Sequence, residues 1–406
     1  MSEKVSGTLE LGTAEFFRLD LGFQTPFRTE SQSNDEEASM KVRCHREGLL
    51  SAFQLASVAV PSRDLKPILK NIKAIADGDR CTLLATDLEL GIRLEVRGLN
   101  VEEPGEALLP ASRMLAILRE STDNEMAVEA DAQSCQVRGE HNEFEMSGDD
   151  PADFPDVPAF SAESFHEIQA GLLREMIRRT IFAAATENPR YALTGILWEL
   201  EGPSARLVAT DGRRLAVMEG PATVQGSHDT KGQTHVVPTK AMQLLERNLV
   251  DPEEQVRVCL RPNDVLFKTD RAMIYSRLVE GRYPPYREVF PKKQTVKIPL
   301  TVGPFHAAVR QAAIMTDEET KKVFFIFDKK KLTMQAQGAA TGRSKVEMAI
   351  DYDGKQIKIA FDPKFVTEML RVLNADDSLT VELVDANSVG LFRSGENYSY
   401  IVMPLT

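Results

Sequence analysis

The phrase Ala-Thr-Asp occurs twice in this chain, in ATDLELGIR at 85–93 and in ATDGRRLAV at 209–217, 124 residues apart. Each copy follows an apolar pair, Leu83-Leu84 or Leu207-Val208. The spacing is about the length of one small domain, so the phrase points to a duplicated unit, provided that the flanks recur with it.

The flanks do recur, and a third time as well. Segments 46–60, 169–185 and 301–315 place apolar residues three and four apart, the spacing of a helix buried on one face. Strand pairs follow at 80–96, 205–219 and 331–350, the last with Gln337-Gly338 where the others carry the phrase. A second helix is predicted at 108–120, 236–249 and 360–373, each starting at a Pro or Asp, and Pro is well tolerated in a first helical turn. Alternating strands close each unit at 125–147, 255–278 and 379–403. Pro-rich stretches at 149–160 and 281–293 read as connectors.

The expected fold class is therefore α+β, three tandem copies of a helix–strands–helix–strands domain. The units run 40–160, 161–293 and 294–406, a period far above that of a solenoid. Residues 1–39 hold the polar, acidic run TESQSNDEEAS and are expected to be a disordered extension, or an upstream-start artefact with Met40 the true first residue.

Composition excludes several classes. No apolar run approaches the ~20 residues of a membrane span, and no basic start precedes an apolar block, so neither membrane association nor secretion is expected. Cys44, Cys81, Cys135 and Cys259 form no CxxC pair and read as reduced cytoplasmic thiols, without zinc. His306 reads as a surface or core histidine rather than a ligand. No nucleophile elbow, P-loop, zinc-protease or dinucleotide fingerprint is present, so neither catalytic residues nor a cofactor are expected. The acids of GDDPAD (148–153) read as a solvated loop beside prolines. Asp87 and Asp211 could be paired acids. Their repetition favours a turn role instead, each bonding nearby backbone N–H groups.

The net charge of −12 argues against nucleic acid only if charge is spread evenly. Basic residues cluster in or after each unit's first helix: Arg63, Lys66, Lys70 and Lys73; Arg174, Arg178, Arg179 and Arg190; Arg310, Lys321 and Lys322. The recurrence suggests a shared surface that contacts phosphates without reading bases.

The threefold repeat, ATDGRRLAV, LVEGRYPPYREVFP (278–291) and the terminal YSYIVMPLT (398–406) resemble the bacterial DNA polymerase III β subunit, the sliding-clamp family, from Met40 to Thr406. The resemblance implies a head-to-tail homodimer, a six-domain ring with helices lining the hole, that encircles duplex DNA without sequence specificity. It implies a non-catalytic processivity factor in the cytoplasm. A peptide groove between the second and third domains would tether the polymerase III catalytic subunit, the clamp loader, and other groove-binding polymerases and repair proteins.

By matching position, the groove would use Leu193, Thr210, Gly212, Arg214, Leu215, Pro284, Val289, Ile401, Met403, Pro404 and Leu405. Leu215 and Ile401 also read as ordinary core. DNA contacts would fall on Arg63, Arg190 and Tyr191, and the dimer contact would set Phe144 and Met146 against Ile314 and Met315. Three departures stand out: acidic Glu288 at the groove edge, Ala192 where a second aromatic would strengthen DNA contact, and a tail that stops at Leu405-Thr406. Two other readings remain open at this level, a clamp-like scaffold that no longer encircles DNA and a nuclease using Asp87, Asp211 and the 148–153 acids.

Overall fold

The apolar spacing of the helical segments becomes six helices in the computed structural model, which describes residues 39–405 except 63–65, 188–191, 294–295, 318–320 and 339–340. They are α1 (Arg46–Ala56), α2 (Ala111–Glu120), α3 (Ala170–Thr180), α4 (Thr239–Asn248), α5 (Val302–Ala313) and α6 (Pro363–Arg371). The first helix of each repeat buries the same stripe: Leu49, Ala52, Phe53 and Ala56 in α1; Leu173, Met176, Ile177 and Thr180 in α3; Phe305, Ala308, Val309 and Ala312 in α5. Three- and four-residue steps keep such side chains on one face of a 3.6-residue turn. α6 starts as its sequence suggests: Asp362 Oδ1 accepts the Lys364 N–H at 2.9 Å, with Pro363 in the first turn.

Each repeat is a short strand, a helix, a set of antiparallel strands, a second helix and three closing strands. Among the described residues the strands form four sheets, of five, nine, eight and four strands. The two larger sheets run across repeats. Leu90–Val96 of the first repeat pairs with Ala272–Arg277 of the second, and Arg214–Pro221 of the second pairs with Tyr398–Val402 of the third. Cross-repeat ladders of this kind leave the repeats little freedom to hinge. The four cysteines are free and buried, and burial pushes the thiols of Cys44, Cys81 and Cys135 up to about 12, so they behave as small core apolars.

The repeated phrase is a turn. Thr86 Oγ1 accepts the Leu88 N–H and donates to the Leu90 carbonyl, both at 2.9 Å, while Asp87 Oδ1 accepts the N–H groups of Glu89 and Leu90. Thr210 and Asp211 repeat every one of these bonds around Gly212, Arg213 and Arg214. The third turn residue has positive φ in both copies, +89° at Gly212 and +75° at Leu88. Glycine adopts that conformation freely, whereas leucine is strained there. The acids of 148–153 are likewise structural: Asp149 accepts from Asn71, and Asp150 caps the Ala152 N–H.

Candidate functional site

The cross-repeat ladder at the second junction builds a cleft. Pairing of Arg214 with Val402 and Leu215 with Ile401 lays the end of the chain beside the Thr210–Arg214 turn, and the Met403 N–H donates to the Arg213 carbonyl at 2.9 Å. The connector is tied to the same sheet: the Tyr283 hydroxyl donates to the Val208 carbonyl at 3.1 Å and the Tyr286 hydroxyl to Glu199 at 2.9 Å. Between connector, turn and tail lies a cleft of about 450 Å³, lined by Thr210, Gly212, Arg213, Arg214, Leu215, Pro284, Tyr286, Val289, Val389, Ile401 and Met403. Its floor belongs to a small apolar cluster that includes Leu197, Val208, Leu215, Tyr286, Leu391 and Ile401. A largely apolar, concave, preformed site with a few fixed polar groups suits a ligand with apolar anchors. Burial and the Glu199 carboxylate beside it push the Tyr286 phenol up, so it stays neutral.

The structure thus brings Thr210, Gly212, Arg214, Leu215, Pro284, Val289, Ile401 and Met403 around one opening. It does not bring Leu193 there, which is buried with its carbonyl accepting the Ala185 N–H. Pro404 and Leu405 also lie off the lining, because the Leu405 N–H turns to the Ala360 carbonyl. Arg214 reaches the cleft only in part. Its guanidinium points inward to Asp211, Glu368 and the Phe182 carbonyl, and stacks over Phe365 at 4.7 Å. Arg213, Tyr286 and Val389 were missed by sequence reasoning. An aromatic after a proline pair, as in Tyr286, is a usable signal, whereas Val389 carries none.

The helices concentrate positive charge. Together they carry eleven Lys and Arg against five Glu, in a chain of net charge −12. Arg113, Arg119, Arg174, Arg178, Arg247, Arg310, Lys364 and Arg371 are exposed. Two residues expected on that surface are turned away from it: Lys73 lies on a strand and pairs with Glu106, and Arg179 is nearly buried against Glu175 and Asp377. Arg63, Arg190 and Tyr191 lie outside the described residues. Ala192 is fully buried in the cluster beneath the cleft, so an aromatic there would meet core rather than DNA.

Phe144 and Ile314 are exposed large apolars, at 37% and 68% of their surface. Phe144 sits on Glu143–Ser147, an edge strand of the five-stranded sheet, and Ile314 follows the end of α5. Met315 beside it is half-buried. Met146, expected beside Phe144, lies opposite Cys135 in the first repeat's core and is buried.

Comparisons with known proteins agree along the chain. Family profiles match three consecutive stretches: the N-terminal domain of the DNA polymerase III beta subunit at residues 40–158, its central domain at 167–285 and its C-terminal domain at 287–406. The beta sliding clamp of Pseudomonas putida is 30% identical over 374 residues, covering 90% of this chain and 100% of that one. The Escherichia coli beta sliding clamp is 28% identical over 369 residues, covering 90% and 100%. Among solved structures, a Pseudomonas aeruginosa sliding clamp bound to griselimycin superposes with a TM-score of 0.83 at 27% identity, covering 91% of this chain and 100% of that one. The Bacillus subtilis clamp gives a TM-score of 0.83 at 25% identity, covering 90% and 99%.

Proposed function

We propose a working mechanism for this chain, which belongs to the DNA polymerase III beta subunit family, the bacterial DNA sliding clamps: two copies close head to tail into a six-domain ring that holds duplex DNA. The protein is a processivity factor and not an enzyme. Its repeats divide at 40–160, 161–293 and 294–406, and it works in the cytoplasm. No helix among the described residues is long and apolar enough to cross a membrane.

The observation that carries the DNA reading is the charge separation, with eleven cations against five acids on the helices of an acidic chain. Cations on a helical inner wall attract phosphates of any sequence, while the acidic remainder discourages binding elsewhere. A topologically closed ring needs no tight grip. Weak contacts that exchange from phosphate to phosphate let it slide, whereas base-specific bonds would hold it in place. Arg63, Arg190 and Tyr191 would add to these contacts.

The cleft supplies the tether. Apolar side chains of a short partner peptide would pack on Leu215, Pro284, Val289, Ile401 and Met403, while Thr210 and the Gly212 backbone would hold its register. Partners of this kind are the polymerase III catalytic subunit, the clamp loader, and other polymerases and repair proteins. The ring contact would centre on Phe144 and Ile314, with Met146 supporting the strand from below and Met315 flanking. An apolar centre of this kind is what a lasting interface needs.

Loading the protein on nicked circular plasmid with a clamp loader tests the reading. The clamp is expected to stay on the circle through a high-salt wash and to be lost when the plasmid is linearised. Equal retention on circular and linear DNA would overturn the ring mechanism.

A further inference from the structure

The cleft at the second junction has a counterpart at the first. Both junctions begin at the same hydrogen-bonded turn, so Glu89, Leu90 and Gly91 hold the places of Arg213, Arg214 and Leu215. The same ladder closes both: Leu90 lies opposite Ser276 and Gly91 opposite Tyr275, as Arg214 lies opposite Val402 and Leu215 opposite Ile401. The main-chain bond beyond the ladder also recurs, from the Arg277 N–H to the Glu89 carbonyl at 2.8 Å and from the Met403 N–H to the Arg213 carbonyl at 2.9 Å. On the neighbouring strand, Val265 lies opposite Ser276 and Gly390 opposite Val402, which sets Asp264 in the place of Val389.

Four lining residues of the cleft thus have counterparts of different chemistry. Glu89, Asp264, Tyr275 and Arg277 stand for Arg213, Val389, Ile401 and Met403, and all four line a pocket of about 800 Å³ with Val279 and Glu280 on its wall. The floor differs as well. Gly91 stands where Leu215 does, and a β-carbon there would lie 2.9 Å from Val157 Cγ1, so the first connector fills the space that an apolar anchor would need. Val157 is buried with Leu84, Leu108 and Phe154 in a cluster of its own. The apolar seat is filled from within, and what stays open is polar.

We propose that this pocket is a second docking site, which takes Lys or Arg side chains flanking a partner's apolar anchors. The inference rests on the reading of the cleft as a peptide site. Three carboxylates line the pocket, Glu89, Asp264 and Glu280, against one guanidinium, Arg277. Arg261, outside the lining, pairs with Asp264. Arg277 lies 3.4 Å from Glu89, with both side chains more than half exposed. Such a pair is weak and exchanges partners at little cost. Glu280 is exposed on the second connector. An incoming cation therefore meets Glu89 and Glu280, whereas an acidic segment would meet them as repulsion.

The two sites share a wall. Val279 lines the pocket and packs against the apolar cluster that floors the cleft. Gly281 on the pocket and Pro284 on the cleft are three positions apart, at most about 11 Å along the chain. A peptide flank of a few residues covers that distance. Once the anchors are seated, the flank binds as an intramolecular event, so that weak charge contacts add measurable affinity.

The test uses full-length protein and two labelled peptides in fluorescence polarisation. Both carry the same apolar anchors; one has lysines on both flanks and the other has serines. The lysine-flanked peptide should bind roughly 3- to 30-fold more tightly, the gain of two exposed opposite-charge contacts, and the gain should shrink in high salt. Glu89→Gln/Glu280→Gln should abolish the gain while the serine-flanked peptide keeps its parent affinity, which also shows that the variant is folded. Arg277→Ala should enlarge the gain, since it frees Glu89. Asp353→Asn/Glu396→Gln removes the same charge from exposed residues outside the pocket and should leave the gain intact. No gain from lysine flanks would overturn the proposal. So would a gain reduced equally by both pairs of substitutions, which would report general attraction to a chain of net charge −12. Serine-flanked peptide that binds Met403→Ala/Val289→Ala as it binds the parent would remove the cleft reading, and the second site would fall with it.

Discussion

Substituting Met403 by Ala isolates the contribution of the cleft from that of the core beneath it. Met403 exposes 44% of its surface on the cleft rim and Val289 exposes 40%, whereas Leu215 and Ile401 are buried. Full burial of such a side chain is worth roughly 1.5–3 kcal/mol, so a peptide that covers Met403 gains about 0.7–1.3 kcal/mol from it. Met403→Ala should therefore weaken a peptide with apolar anchors about 3- to 9-fold. Met403→Ala/Val289→Ala should weaken it roughly 8- to 70-fold if the two sites act independently. Neither change should alter thermal stability by more than about 0.5 kcal/mol, since both side chains are largely solvated before binding. Fluorescence polarisation with a labelled peptide, beside a urea melt of each variant, measures both quantities. Peptide affinity unchanged in the double variant would refute the assignment, because a ligand that leaves this rim uncovered does not occupy the cleft. A large loss of stability with no separate loss of affinity would show that the rim belongs to the core.

Arg214→Ala removes a nearly buried guanidinium that holds Asp211, Glu368 and the Phe182 carbonyl, and should destabilise the second and third repeats by about 2–4 kcal/mol in chemical denaturation. Arg214→Lys should recover only part of this, since one ammonium cannot serve partners in several directions while stacking on Phe365. Leu88→Gly should stabilise the first repeat by about 0.5–1 kcal/mol, because φ of +75° strains leucine and the side chain is 41% exposed. Burial, and next the neighbouring His228, hold the His166 ring below its ordinary value, so the unfolded chain binds the proton more readily. Stability should be complete above about pH 6.5 and decline as pH falls below it, and His166→Phe should flatten that slope in melts taken from pH 7.5 to 5.5.

The helices were legible because their information is local. A stripe such as Leu49, Ala52, Phe53 and Ala56 can be read from spacing alone, and so can the Asp362-Pro363 start of α6. The Ala-Thr-Asp turn was legible for a similar reason, since its hydrogen bonds close within five residues and the pattern occurs twice. Charge was less legible. Lys73 and Arg179 count as cations in any sequence tally, yet one sits on a strand against Glu106 and the other packs beside Asp377, nearly 200 residues away. Spacing within a segment cannot say which neighbour a long side chain will find.

By itself the sequence determined that the chain is three copies of one α+β unit, and that each copy turns through the same hydrogen-bonded phrase where that phrase survives. Periodicity and repetition carry these properties, and both are written along the chain. Only the tertiary structure decided that Thr210, Pro284, Val389 and Met403 share one opening, and that Arg214 turns inward while Arg213 faces the cleft. Those outcomes depend on strand ladders between residues about 190 positions apart, Leu215 against Ile401 above all. In a β-ladder a shift of one residue turns every side chain to the other face, so the cleft exists only once long-range register is set.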